Sequence, residues 1–546
     1  MILELFAEII QDSAVKLTSF FSFEYLVIFL PVVIILYALS PGKAKKYILL
    51  LFSYVFYVIV NGGLTLFLLF STVCVFAFSK LLESIKSKRA EALKSCEKDK
   101  KKEIKAEYQK RMRSVLVFAI IIHIGILVVL KYSGFFAYNI NSILSLCKIE
   151  FSFIIPDFAL PLGISFFSLQ AVSYLTDVYR GTEKADSNFF RVALFLGFFP
   201  QIIEGPICRY SQTAQQLWDV KQIEFENLTK GLQRVLYGMM KKVVIADRLN
   251  PFIQSVFSDH KEYGGIMVIA AAVFYSVQLY MDFSGAMDAV CGIGQIFGVV
   301  MPENFKRPFF SKSISEFWTR WHISLGTWFK DYIFYPVSMS KRMKTVTSAA
   351  RKKIGSYYGP LVAGSIALFC VWLNNGLWHG SAWSYIFFGM YHFALILLGN
   401  ITAPLSKKVL HKLRISSENK VYLLFRIART CGLVVIGELF FRADGLKKGL
   451  SMFFSIFTDF RLPEMTDGFL GDFRLSFFDL GIVFVVLAVI LVISILNEKG
   501  YIIRDLLQEK NVVVRWTAII AMIVVIIVFG AYGDGYVPVD PIYANF

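Results

Sequence analysis

The chain has 546 residues, 56% of them apolar, a formal net charge of +17 and a mean hydropathy of +0.59. Soluble domains hold about 45–50% apolar residues, so this composition excludes an ordinary soluble enzyme and puts the chain in a membrane. The positive charge sits in loops between apolar runs, the pattern of cytoplasmic loops, which excludes a nucleic-acid partner as its reason.

The first segment, Met1–Leu17, carries Glu4, Glu8 and Asp12 among apolar residues. It lacks the basic stretch of a signal peptide and predicts an amphipathic helix at the interface. Runs of about 20 apolar residues predict spanning helices. They recur at Tyr25–Leu39, Tyr47–Val60, Leu64–Phe78, Val115–Leu130, Ile266–Tyr280, Leu361–Leu373, Ala382–Leu398, Phe478–Leu496 and Val513–Phe529. Weaker runs lie near Leu160–Tyr174, Val192–Ile203, Leu232–Ile245 and Leu423–Phe441. The expected fold is an all-α polytopic membrane protein of roughly 10–13 hydrophobic helices, with re-entrant or broken helices around a central intramembrane cavity. One membrane domain over 1–546 is expected, with a basic loop at 81–113, a catalytic core at 155–400 and C-terminal spans at 420–546 that end in the short polar tail Gly533–Phe546.

Between Lys80 and Arg113 stand thirteen Lys or Arg and six acids. This reads as a charged helical hairpin in water on the cytoplasmic side. Lys43, Lys45 and Lys46 mark an earlier cytoplasmic loop, Asn61-Gly62-Gly63 fits the outside, and the N-terminus is placed outside. Lys341–Lys353, with six Lys or Arg and no acid, is placed inside. Of the seven cysteines, Cys74, Cys370 and Cys431 fall in or beside apolar runs and none forms a C-x-x-C pair. They read as small buried apolar residues without a disulfide framework or a metal site.

Residues 155–400 are apolar but dotted with Gly, Pro, Trp, Asn, Asp and His. Polar groups within apolar segments are costly and mark cavities and sites. Of six histidines, His260 and His411 lie in polar loops and read as solvated, while His123 and His392 read as packed. His379 lies between two apolar runs, with Asn375 about one helical turn before it on the same face. An amide there would hold one ring nitrogen and leave the other as a base. His322 belongs to an aromatic, charged segment in which Glu316 and Arg320 form an i,i+4 pair. Read alone, that segment is an interfacial helix whose histidine merely hydrogen-bonds. Asp282 and Glu204 each follow an apolar run; they either line a cavity or cap a broken helix, and the second reading is preferred. No H-E-x-x-H, phosphate-binding loop, dinucleotide fingerprint or serine elbow occurs.

These segments together resemble the membrane-bound O-acyltransferase family, most strongly its bacterial branch of alginate O-acetyltransferase type. The landmarks come in order. Leu160-Pro161-Leu162-Gly163-Ile164-Ser165-Phe166-Phe167 is followed by Asp177-Val178-Tyr179-Arg180-Gly181, then by Phe198-Phe199-Pro200-Gln201 and Gly205-Pro206-Ile207. Lys241-Lys242-Val243-Val244-Ile245-Ala246-Asp247 and Tyr280-Met281-Asp282-Phe283-Ser284-Gly285 follow. Pro302-Glu303-Asn304-Phe305 precedes Phe317-Trp318-Thr319-Arg320-Trp321-His322-Ile323-Ser324-Leu325. Asn375-Gly376-Leu377-Trp378-His379-Gly380 comes next, with Leu439-Phe440-Phe441-Arg442-Ala443 as a late echo. The resemblance covers about 155–445 well, and the flanks by hydropathy alone.

It implies that His379 and His322 are the catalytic histidines, with Asn375, Trp378, Arg320, Asp331, Asp282 and Glu204 supporting them or lining the cavity. Two departures stand out: Lys330-Asp331-Tyr332 replaces the usual Arg-Asp-Tyr, and Pro336-Val337-Ser338-Met339 the usual Pro-Leu-Gly-Gly. Lysine lacks the bidentate fork of arginine, which alters any donor contact at that point. The implied activity is transfer of an acyl group, foremost acetyl, from a cytoplasmic thioester (acetyl-CoA or an acyl carrier) for O-acetylation of an extracellular or cell-envelope polysaccharide. No tightly bound cofactor and no metal are expected. An extracytoplasmic or membrane-tethered acyltransferase partner is, and so is a multi-pass place in the bacterial cytoplasmic membrane. The rival readings are D-alanyl transfer to teichoic acid and a polysaccharide or lipid-linked transporter or flippase. A transporter of that kind predicts inverted repeats, and none is found in the sequence.

Overall fold

The computed structural model describes residues 20–219, 221–463 and 466–532; Met1–Leu17 and the tail Gly533–Phe546 lie outside the described residues. Among the described residues every regular element is a helix. The protein is an all-α polytopic membrane protein, and the described chain divides into two compact units, residues 20–232 with 290–302 and residues 233–289 with 303–532.

The first unit begins with a π turn at Glu24–Phe29, then α1 (Leu30–Leu39), α2 (Lys45–Asn61), α3 (Thr65–Ser95) and α4 (Lys101–Leu146). The basic loop is the far end of α3 and the start of α4, where Arg89 donates to Gln109 at 3.2 Å. The expected charged helical hairpin is thus two long helices that continue past their apolar stretches. Next come α5 (Ile164–Arg180), α6 (Phe189–Gly197) and α7 (Tyr210–Trp218). Every residue of α5 from Ile164 to Leu175 is buried, with α3 and α4 packed against it. Its apolar residues therefore serve protein contacts on all sides, as in a core helix. Phe29, Phe56 and Phe199 close the core of this unit, with ring centroids 5.3–6.2 Å apart. The segment leading into α5 is tied down where Leu162 donates its N–H to Asn61 Oδ1 at 2.7 Å and accepts from the Tyr57 hydroxyl at 2.8 Å.

Helix α8 (Phe225–Met239) carries the chain into the second unit. It continues through a π turn at Met240–Ala246 to α9 (Asp247–Ser258) and α10 (His260–Ile296), whose end returns to the first unit. The rest of the second unit is α11 (Ile314–Arg320), α12 (Ile323–Phe329), α13 (Tyr335–Ser338), α14 (Lys341–His379), α15 (Trp383–Lys412), α16 (Lys420–Arg442), α17 (Leu446–Thr458), α18 (Asp467–Gly471), α19 (Phe477–Glu498), α20 (Ile503–Gln508) and α21 (Val512–Phe529). A break at Gly355, where φ is +86°, separates the basic arm of α14 from its apolar part.

Among the described residues, seven helical stretches are long and apolar enough to cross a membrane: Lys45–Ser95, Lys98–Leu146, His260–Ile296, Lys341–His379, Trp383–Lys412, Phe477–Glu498 and Val512–Phe529. Glu24–Leu39 is a shorter apolar helix, and together these contain the nine plain runs read from sequence, save Ala382, which precedes its helix. The weaker runs form helices of another kind. Two are short, 17 residues in α5 and 9 in α6, and α16 carries Arg426, Arg429 and Glu438. The apolar window of α10 is 61% buried and that of α21 only 6%, so α10 is packed against protein and α21 presents its surface to lipid.

Candidate active site

His379 is the last residue of α14, and the chain turns through Gly380–Ala382 into α15. The two helices form a tight hairpin because glycines stand where they touch. A Cβ on Gly376 would lie 2.5 Å from the Tyr385 carbonyl oxygen, and one on Gly389 would lie 2.4 Å from that of Trp372. Only bare backbone fits that approach. The imidazole of His379 is buried and walled by rings: Trp378 at 4.9 Å, Phe441 at 5.0 Å and Phe388 at 6.1 Å between centroids. Asn375 is buried one turn earlier, as the spacing requires. Its carboxamide oxygen accepts no hydrogen bond, so the expected grip of the amide on the ring is not made through that atom.

His322 joins α11 to α12 in the left-handed region, at φ 45° and ψ 52°. That conformation is uncommon for a residue with a Cβ and persists only where surrounding contacts determine it. Asn304 supplies those contacts. Its carbonyl accepts the N–H of Ile323 at 3.0 Å and its side-chain oxygen accepts the N–H of Ser324 at 2.9 Å. The His322 ring is buried against Phe283, 4.9 Å away, and burial pushes its pKa down to about 3. The Trp378 indole lies 5.7 Å from His322 as well as against His379. One side chain therefore touches both imidazoles.

The carboxylates form a different structure. Asp282 is buried on α10 with its oxygen 2.8 Å from Lys242 Nζ, which is also 2.8 Å from Asp247. Its neighbour Lys241 pairs with Asp288 at 2.6 Å, and Asp288 meets Arg234 at 3.0 Å. Arg234 in turn binds Glu303 through two bonds of 2.8 and 2.6 Å. Both lysines reach α10 because α8 and α10 meet at glycines: a Cβ on Gly238 would lie 2.3 Å from the Gly285 carbonyl oxygen. Asp282 is thus half of a buried ion pair that fixes the π turn to α10.

The remaining candidates scatter. Arg320 pairs with Glu316 at 2.9 Å, as its spacing predicts, and with Glu498 at 3.0 Å; Arg307 shares that Glu498 carboxylate at 2.5 Å. The guanidinium is thereby committed to a partly exposed ion-pair cluster. Asp331 is half-buried in the π turn Lys330–Phe334. Lys330, at the point of departure from the family pattern, is exposed with its ammonium 5.7 Å from the Tyr335 ring. Glu204 is buried in the first unit.

Among the other histidines, His123 is packed and its Nδ1 bonds the Ala119 carbonyl at 2.8 Å. His392 is packed too, accepting from Trp318 Nε1 at 3.2 Å with its ring stacked on Trp372. His411 is exposed. His260 corrects the sequence reading: it is 5% exposed, with Nε2 2.9 Å from the Ser451 hydroxyl. Cys74, Cys370 and Cys431 are only half-buried, whereas Cys208 and Cys291 are buried. Sequence reasoning left Lys242, Asn304 and the buried Glu438 without roles. The first two stand inside quoted motifs, which was the available signal.

The sequence model of the membrane-bound O-acyltransferase family matches residues 164–350, a span that holds His322 and Asp282 and ends before His379. A probable alginate O-acetylase of Azotobacter vinelandii is 30% identical over 471 residues, 85% of this chain and 83% of that protein. A peptidoglycan O-acetyltransferase of Helicobacter pylori is 33% identical over 51% of this chain and 53% of its own length. A teichoic acid D-alanyltransferase of Bacillus subtilis is 32% identical over 45% of this chain and 60% of its own.

Proposed function

Because the chain belongs to the membrane-bound O-acyltransferase family, in its alginate O-acetyltransferase-like branch, and is an O-acyltransferase, we propose that it transfers acetyl from a cytoplasmic thioester for O-acetylation of a cell-envelope or exported polysaccharide. The observation that carries this reading is the Trp378 indole in contact with both His322 and His379, inside a wall of rings. His379 takes the proton of an acceptor hydroxyl. The hydroxyl oxygen attacks the thioester carbonyl carbon, the carbon–sulfur bond breaks, and the proton returns to the departing thiolate. Its place at a helix C-terminus favours this, since the partial negative charge there stabilises the imidazolium as it forms. The aromatic wall keeps water from competing with the acceptor for the thioester. His322, held neutral by burial, serves as an uncharged hydrogen-bonding group across the indole.

The basic loop and the basic arm of α14 face the cytoplasm in this reading, the N-terminus lies outside, and the donor is acetyl-CoA or an acylated carrier. The membrane is the bacterial cytoplasmic membrane. The acceptor side holds a separate membrane-tethered or extracytoplasmic acyltransferase that completes transfer to the polymer. Acetyl is preferred to D-alanyl because the alginate-type relative matches 83% of its own length against 60% for the D-alanyltransferase. The test is mass spectrometry of the envelope polymers from a deletion strain carrying the wild-type or the His379→Ala chain. Acetyl esters restored by the wild type alone support the proposal; D-alanyl esters restored instead overturn it.

A further inference from the structure

We propose that the C-terminal hairpin of the second unit forms a binding site for one anionic phospholipid, apart from the two histidines. A cavity of about 640 Å³ lies there, within the size range of small-ligand sites, about 300–1,000 Å³. One wall is α19, through Val486, Val489 and Ile493; the facing wall is α21, through Ile519, Met522 and Val525. These residues recur at three or four positions, so each helix turns one continuous apolar face to the cavity. Tyr237 and Met240 close its side.

The polar lining that the hairpin itself supplies lies where α19 stops and α21 starts. Arg504, Gln508 and Arg515 stand there. The acids of the lining are Asp288 and Glu303, and both are ion-paired to Arg234, with Lys241 also on Asp288. Arg504 and Arg515 add positive charge at that end. From Arg515 to Val525 the helix rises about 15 Å at 1.5 Å per residue, half of a hydrocarbon core of roughly 30 Å. The apolar walls therefore have the depth of one leaflet. Tyr501 and Trp516 flank the charged end and are more than half exposed, the placement of interfacial aromatic anchors. The arginines then stand at the headgroup level.

An acyl chain fits between the two aliphatic faces while a phosphate meets the arginines. An acyl thioester donor also pairs phosphate with an acyl group. Its amide-bearing arm, however, would lie along walls of Val, Ile and Met and lose hydrogen bonds to water. The structure thus favours a lipid. The two apolar walls and both arginines stand on α19 to α21, beyond the span matched by the family model, and the site does not depend on the assigned acyl group.

Native mass spectrometry of the full chain from nanodiscs of mixed phosphatidylcholine and phosphatidylglycerol tests this. The wild type should retain one phosphatidylglycerol, enriched about tenfold over its share of the bilayer. Arg504→Gln with Arg515→Gln should return retention to the bulk ratio, and Ala518→Trp, which fills the cleft, should remove retained lipid of both kinds. A wild type that holds both lipids at the bulk ratio overturns the proposal, and this arm needs no variant to fold. So does a doubly substituted protein that keeps the enrichment. Displacement of the retained lipid by coenzyme A would reassign the cavity to the donor and overturn the lipid.

Discussion

Around His322 and His379 the neighbours are rings; around Lys241 and Lys242 they are carboxylates. Both regions belong to the second unit and both arise from motifs in residues 155–400, yet they solve opposite problems. The histidine region surrounds two polar side chains with Phe283, Trp378, Phe388 and Phe441 and holds the backbone at His322 through Asn304. The lysine region sets every charge beside an opposite one. A motif residue in a membrane enzyme therefore has two distinct reasons to be polar, and only the surroundings tell them apart. By that criterion Asp282 and Arg320 have the surroundings of scaffold, and the proposal of a chemical role falls on His322 and His379.

Single substitutions separate the two regions. The largest effect is expected for His379→Ala, which should lower acyl transfer by about 10²–10⁴-fold while leaving membrane insertion and thermal unfolding unchanged. Lys242→Met should act the other way. It strands two buried carboxylates, Asp247 and Asp282, at a cost of about 3–5 kcal/mol. Thermal unfolding in detergent should shift down, and activity per folded molecule should stay near the wild-type value.

Asn304→Ala lies between these cases. It takes the acceptor from the buried Ser324 N–H, a loss of about 1–3 kcal/mol. Because the same residue holds the His322 turn, activity should fall further than the folded fraction does. The pH dependence sharpens the view of His322 itself. In the unfolded chain it takes a proton near 6.5, and in the fold near 3. The unfolded state binds more protons between those values, so stability rises with pH across the window. This contribution is complete above about pH 6.5 and is lost as pH falls toward 3; His322→Phe should flatten that acid limb in a denaturation series. The smallest effect is expected for Arg320→Gln. The ion pairs with Glu316 and Glu498 are partly exposed, and such pairs contribute about 0–1 kcal/mol, so transfer rates should stay within about twofold.

The two histidines were legible because each stands in its own short motif, and Trp378, which joins them, is the residue beside one of them. Their supports were less legible. Lys242 and Asp282 are 40 positions apart, Arg320 and Glu498 are 178 apart, and no local period links such pairs. His260 looked solvated because Asp259 and Lys261 flank it; Ser451, from a distant helix, covers it. The long lipid-facing helices were readable from hydropathy alone, since lipid imposes an unbroken apolar surface. Helices such as α5 gave weaker signals because protein surrounds them, and packing against protein tolerates the Ser, Thr and Gln that lipid does not.

Thioester turnover tests whether His379 is the proton acceptor of the transfer. Purified full-length chain in proteoliposomes would be given acetyl-CoA or acylated carrier with a hydroxyl acceptor. Wild type and His379→Gln would then be compared at equal amounts of folded protein. The glutamine variant should bind the donor as the wild type does and lose acyl transfer by about 10²-fold or more. Equal transfer by the two proteins would contradict that role for His379.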